Sequence, residues 1–192
     1  GGAAKPRPKG LRLLGGDVPR VQDDFLAVVD NHTANPADTH GAVGPEHLVV
    51  ALNTEIAIQT REGELVSKVG LGDFWAGFSH GFVFDPKVVY DHLAKRWVVF
   101  TIADVNTTKS AVLIALSQTS DPTGDWDMAS IRVHPEALPD NYLYADYPNI
   151  GYNKKWLAAS VNLYKGTNQV EGAKEFIGSR IFAFHKPDYI RG

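Results

Sequence analysis

Three aspartates, Asp38, Asp85 and Asp146, each head a similar stretch of sequence, running to Ala51, Phe100 and Ala159 respectively. Each stretch continues as a short aliphatic strand, a polar turn and a second strand. In the last two, that second strand opens with Arg96-Trp97 or Lys155-Trp156. If such units pack side by side, the aspartates fall at matching places and their like charges repel unless neutralised. Three kinds of chemistry answer this. A hard cation such as calcium takes oxygens from carboxylates, amides and carbonyls. Asn53 and Asn162 fall at matching places in the repeat, so Asp38, Asp85, Asp146, Asn53 and Asn162 are the candidate metal ligands. Alternatively, each aspartate hydrogen-bonds local backbone N–H groups and fixes a turn, a role that suits the nearby Pro86 and Pro148. Finally, two carboxyl groups about 5–9.5 Å apart serve glycoside hydrolysis. Asp38 would then be nucleophile or base, with Asp146 tuning its partner. No glutamate holds a matching position to act as the acid, since Glu46 sits in a turn beside Pro45. Catalytic residues therefore stay unassigned, and calcium is the one cofactor the sequence suggests.

The remaining chemistry is sparser. Gly77-Phe-Ser-His-Gly81 matches G-x-S-x-G, but a nucleophile elbow needs a strand-to-helix turn, and Phe82-Val-Phe-Asp reads onward as strand. Residues 70–81 read as a glycine- and aromatic-rich loop. His40 stands two residues after Asp38 and is placed with its site. His32, His47, His80, His92, His134 and His185 read as turn or surface residues. Asp121, Asp125 and Asp127 alternate like a calcium loop but lack the remaining ligands, so Asp121-Pro-Thr-Gly is read as a type I turn. Trp75, Phe78, Tyr142, Tyr144 and Tyr147 lie in loop-like segments and are the candidate binding residues, as rings that stack on sugars; the other reading packs them beneath the loops.

The elements that would position these residues are β-strands. Short β-branched and aromatic runs recur between glycine, proline, asparagine and aspartate. They are Leu48 to Leu52, Glu55 to Gln59, Glu64 to Val69, Val88 to Tyr90, Trp97 to Ile102, Ala111 to Ser117, Trp156 to Val161 and Arg180 to His185. Long amphipathic helical stretches are absent. Repeats of roughly 40–50 residues with several strands each are the mark of β-propeller blades. The expected fold is all-β and β-propeller-like, with about three four-stranded blades near 38–84, 85–145 and 146–192; a β-sandwich is the alternative. Closed propellers hold about 4–8 blades. Three blades imply a fragment, a ring completed by another copy of the chain, or a repeat that is not a blade.

The composition sets outer bounds. The 192 residues carry 19 basic and 22 acidic groups, a net charge of −3, and no cysteine. That leaves no strong global field for nucleic acid, and no disulfide or thiolate chemistry. No apolar run approaches the ~18 residues that span a bilayer. Residues 1–29 form a Gly/Pro-rich basic leader, with Lys5, Arg7, Lys9, Arg12 and Arg20 against Asp17 in the first 20. Residues 30–192 form the β domain.

Four motifs add a resemblance. Asp38-Thr-His-Gly-Ala-Val-Gly-Pro, Phe84-Asp-Pro-Lys-Val-Val-Tyr-Asp, Ser117-Gln-Thr-Ser-Asp-Pro-Thr-Gly-Asp-Trp and Ala145-Asp-Tyr-Pro-Asn-Ile-Gly are similar to segments of a large group of extracellular bacterial propeller-like proteins of unassigned function. The resemblance covers about residues 30–186. It implies secretion or surface display and a propeller-type fold, and it implies no established chemistry. Two functions follow as expectations. The first is a binding or scaffold module for a glycan or protein partner. The other is a carbohydrate-active hydrolase using inner-strand carboxylates.

Overall fold

The computed structural model describes residues 21, 24–29, 31–133, 141–167 and 174–188. Most of the basic leader, and His134, lie outside them. The described chain is all-β and propeller-like, built from three antiparallel sheets in sequence order. The first sheet holds β1 (His40–Val43), β2 (His47–Ala51), β3 (Glu55–Thr60) and β4 (Leu65–Gly70). A single helical turn, α1 (Leu71–Phe74), and a loop lead into the second, with β5 (Val83–Asp91), β6 (Arg96–Ala103), β7 (Ala111–Ser117) and β8 (Trp126–Arg132). The third holds β9 (Asn141–Tyr152), β10 (Trp156–Thr167) and β11 (Lys174–His185), so it has three strands among the described residues rather than the four expected. Every sheet is a meander, and the first strands β1, β5 and β9 of successive sheets touch one another. That arrangement is a fan of blades around their inner strands.

The middle blade shows why the alternative of a β-sandwich fails. A sandwich has one core between two sheets; here a core lies on each face of the second sheet. Val88, Trp97, Val99 and Leu113 pack with Val49, Ile56 and Ile58 of the first blade. Val98, Phe100, Ile102, Val112 and Ile114 pack with Leu157, Ala159 and Val161 of the third. A strand buried on both faces has no polar alternation. This is the physical origin of the unbroken runs Trp97 to Ile102 and Ala111 to Leu116.

Trp97 is fully buried at the first of these interfaces, and its indole N–H donates to the Ser120 carbonyl at 2.9 Å. Its ring fills the space beside Gly44, where a Cβ would stand 2.4 Å from a ring carbon. Glycine at position 44 is thus dictated by a tryptophan on the neighbouring blade. Trp156 does not play the matching part, for it is 43% exposed.

The register explains the difference. In β5, Asp85 and Pro86 together face one partner residue, between the pairs Phe84–Ile102 and Lys87–Phe100. In β9, Tyr147 and Pro148 do the same, between Asp146–Asn162 and Asn149–Ser160. These are equivalent β-bulges. They align Asp85 with Tyr147 rather than Asp146, and Trp97 with Leu157 rather than Trp156. The sequence overlay of the third repeat is therefore displaced by one residue.

A buried ion pair ties the second blade to the third. Lys186, in the turn Lys186–Asp188 after β11, meets the Asp91 carboxylate at the end of β5. Both are nearly excluded from solvent. Asp91 also accepts the Leu93 and Ala94 N–H groups at 3.0 and 3.1 Å. The Lys186 ammonium lies 4.9 Å from the centre of the Tyr152 ring, whose hydroxyl donates to the Tyr90 carbonyl at 2.9 Å.

Candidate functional site

The bulges of β5 and β9 and the residue leading into β1 converge where the inner strands meet. Asp38, Asp85 and Tyr147 all adopt left-handed backbone, with φ of 47°, 51° and 51°. Such a conformation is uncommon for non-glycine residues and persists only where surrounding contacts hold it. The contacts are visible here. The Asn53 side-chain amide donates to Asp38 Oδ2 at 2.7 Å and to the Pro36 carbonyl at 3.0 Å. Its Oδ1 accepts the Asp85 N–H at 2.6 Å. Asp85 Oδ2 in turn accepts the Tyr147 N–H at 3.3 Å, which also reaches Asp146 Oδ1 at 3.1 Å. One network thus passes from the first blade to the second and on to the third.

Electrostatics make this hub unusual. The Asp85 carboxyl is pushed up to about 6, first by burial, then by a hydrogen bond and charge from Asp38 and by the charge of Asp146. A hydrogen bond between two carboxyl groups needs a proton between them. Asp85 holds it below about pH 6. His40, on β1, serves as an acceptor for the Val88 N–H at 3.2 Å, which takes its Nδ1 lone pair. Burial and the nearby Lys87 charge keep its pKa below the ordinary value.

A pH dependence follows. Asp85 has a native pKa of about 6 against an ordinary 3.8. The folded state therefore binds this proton more tightly than the unfolded state. Its contribution to stability is full below about pH 4 and is lost as pH rises to about 6. Discounted for solvent screening, the loss is about 1 kcal/mol. Asp85→Asn, a neutral mimic of the protonated acid, should be more stable than wild type at pH 7 by about that amount. The advantage should shrink towards pH 4. Urea midpoints measured from pH 4 to pH 7.5 check this, and an identical pH slope in the variant would refute the assignment.

The structure brings some candidates together and disperses others. Asp38, Asp85, Asp146 and Asn53 share the hub, and Asn162 lies opposite Asp146 in the β9–β10 ladder. Among the described residues, however, no group of three or more histidine, aspartate or glutamate side chains is arranged to hold a metal ion. Asp38 Oδ2 accepts from Asn53, Asn53 Oδ1 accepts the Asp85 N–H, and Asp85 and Asp146 each accept the Tyr147 N–H. Of the aromatic candidates, Trp75 and Tyr144 are buried and offer no free face. Phe78 packs against the core between the first two blades. The Tyr142 side chain lies outside the described residues. Of the four whose side chains are described, Tyr147 is the one openly exposed, at 61%, with the Lys87 ammonium 5.8 Å from its ring centre. Ser79 of the G-x-S-x-G match is exposed in the loop after α1, and β5 follows at Val83. Asp121 holds the Thr123 N–H and hydroxyl at 2.9 and 2.7 Å, as a turn residue does.

No protein-family model matches the chain, and no curated protein matches it. Among solved structures, a GH43 endo-arabinanase from Bacillus licheniformis is similar, with 10% identity and a TM-score of 0.41. The similarity covers 78% of this chain and 53% of that one, so this chain spans about half of the arabinanase's length. Among the described residues, no helix is long and apolar enough to cross a membrane.

Proposed function

We propose that this protein is a secreted or surface-displayed binding module that holds a glycan at the hub of its blades. One observation carries the reading: Tyr147, whose ring is exposed beside Lys87, has its backbone N–H held by Asp85 and Asp146 at the convergence of the inner strands. Sugars present an apolar C–H face and a rim of hydroxyls. An aromatic ring covers the first, and carboxyl groups accept from or donate to the second. Below about pH 6 Asp85 carries a proton and can donate to a hydroxyl; above it the carboxylate accepts from one.

Binding is favoured over hydrolysis by the spacing of the carboxyl groups. A glycosidase pair stands about 5–9.5 Å apart to admit the sugar or a water. Asp38 instead lies close enough to Asp85 to raise its pKa by hydrogen bonding and charge. A glycan array probed with the wild type should give a defined set of ligands. Tyr147→Ala should weaken that binding by about 10-fold or more, since the ring's buried face is worth at least ~1.5 kcal/mol. Its melting temperature should stay within a degree or two, as for surface substitutions generally. An array that is blank for wild type, or unchanged by Tyr147→Ala, rejects this reading.

A further inference from the structure

Away from the hub, three polar side chains from separate segments form a line. His80 lies in the loop between α1 and β5, Asp104 directly follows β6, and Ser130 is on β8. His80 Nδ1 is 2.8 Å from Asp104 Oδ2, and His80 Nε2 is 3.0 Å from Ser130 Oγ. The other Asp104 oxygen accepts the Gly81 and Phe82 N–H groups at 2.8 and 3.3 Å. Asp104 itself has left-handed backbone, φ 55°, which turns its carboxylate back onto the loop that carries His80. The histidine and aspartate side chains are only 12% and 9% exposed, while Ser130 is half-buried on an edge strand.

The directions of these hydrogen bonds are set by chemistry. An ionised carboxylate only accepts, so His80 must carry its proton on Nδ1. Burial works to raise the Asp104 pKa, but the bonds from His80, Gly81 and Phe82 outweigh it and hold the carboxyl below the usual range. Nε2 of neutral His80 is then a lone pair aimed at the Ser130 hydroxyl, which donates to it. A carboxylate orienting an imidazole that accepts from a serine is the arrangement that activates a nucleophile, and it recurs on unrelated folds.

We propose that Ser130, His80 and Asp104 form a second site, a hydrolytic centre for short-chain carboxylic esters. Ser130 Oγ attacks the ester carbonyl carbon while its proton passes to His80 Nε2. The bond from carbon to the alkoxy oxygen breaks, and His80 returns the proton to the departing alcohol. Water then adds to the acyl–serine ester and gives a proton to His80. The bond to Oγ breaks, Ser130 recovers its proton and the carboxylic acid leaves. Asp104 is a positioning residue that holds the imidazole tautomer and favours its cationic form. A hydroxyl on a strand face suits a short acyl group, which needs the least room beside it.

The test is covalent labelling of the full chain with a fluorophosphonate probe, mapped by tandem mass spectrometry, together with p-nitrophenyl acetate hydrolysis. The expected result is a single adduct on Ser130, absent in Ser130→Ala, and a labelling rate about 100-fold lower in His80→Gln. Wild type should hydrolyse the ester faster than Ser130→Ala. Asp104→Asn should lower the labelling rate about 10-fold or more, because the imidazole loses the partner that fixes its tautomer; a merely structural tie would change the melting temperature and leave the labelling rate of the folded protein in place. Folded wild type that takes no label, takes it elsewhere, or labels without ester turnover overturns the proposal. None of these outcomes depends on whether a glycan binds at the hub.

Discussion

Trp97→Ala is expected to cost about 4 kcal/mol, whereas Trp156→Ala costs less than about 1 kcal/mol. The first removes a fully buried indole wedged between two blades, with its N–H bonded to Ser120 and its ring seated on Gly44. Little can collapse into that space, because Gly44 supplies no side chain and Val49, Val99 and Leu113 are already packed. The second removes a ring that is 43% exposed and stands against His185 on the far face of the third blade. Leu157, not Trp156, occupies the position equivalent to Trp97, so Leu157→Ala should behave as a core truncation at roughly 3 kcal/mol. Chemical denaturation of the three variants decides the register. Equal losses at Trp97 and Trp156 would contradict the bulge alignment.

Lys186→Met is the other large effect. It leaves the Asp91 carboxylate buried without its cation, and breaking a buried pair from one side costs about 3–5 kcal/mol. The two backbone N–H groups on Asp91 Oδ1 soften this loss without replacing a full charge. Asp91→Asn with Lys186→Met removes both charges together. The double variant should be more stable than the sum of the single losses predicts by at least ~1 kcal/mol, the sign of a coupled pair. Additive losses would mean that the ion pair contributes nothing to the joint between the second and third blades. Because Lys186 lies after the last strand, its loss should also speed proteolysis of that segment.

How far the sequence discloses this molecule depends on what each residue's surroundings impose on it. The strands of the middle blade are plain, because burial on both faces writes continuous apolar runs. The eighth strand is hidden. Its residues alternate between exposed and half-buried, and Asp127, Ser130 and Arg132 do not announce a strand. The ninth is obscured by Tyr147-Pro148, where proline suggests a turn but a bulge lets the strand continue. The hub aspartates are legible because repetition draws attention to them. Their use of each other as hydrogen-bond partners is not, since nothing in their spacing reports a shared proton. His80, Asp104 and Ser130 escape altogether: 24 and 50 residues separate the histidine from its partners, and only the folding of the second blade with the loop that leads into it closes those gaps.

The two outer faces of the fan are unlike. On the first blade, Ala57 and Gln59 are buried on the side away from Trp97, and Gln59 donates to the Ala27 carbonyl at 3.0 Å while the Phe25 ring sits over Gly63. Non-repeat chain thus lies against that flank like the terminal cap of a solenoid. The third blade turns Ile181, 70% exposed, and Trp156 outward on its far side. A stack with a capped flank and a bare one has a polarity. The two ends of the stack are therefore chemically distinct: non-repeat chain covers part of one, and Ile181 and Trp156 face solvent at the other.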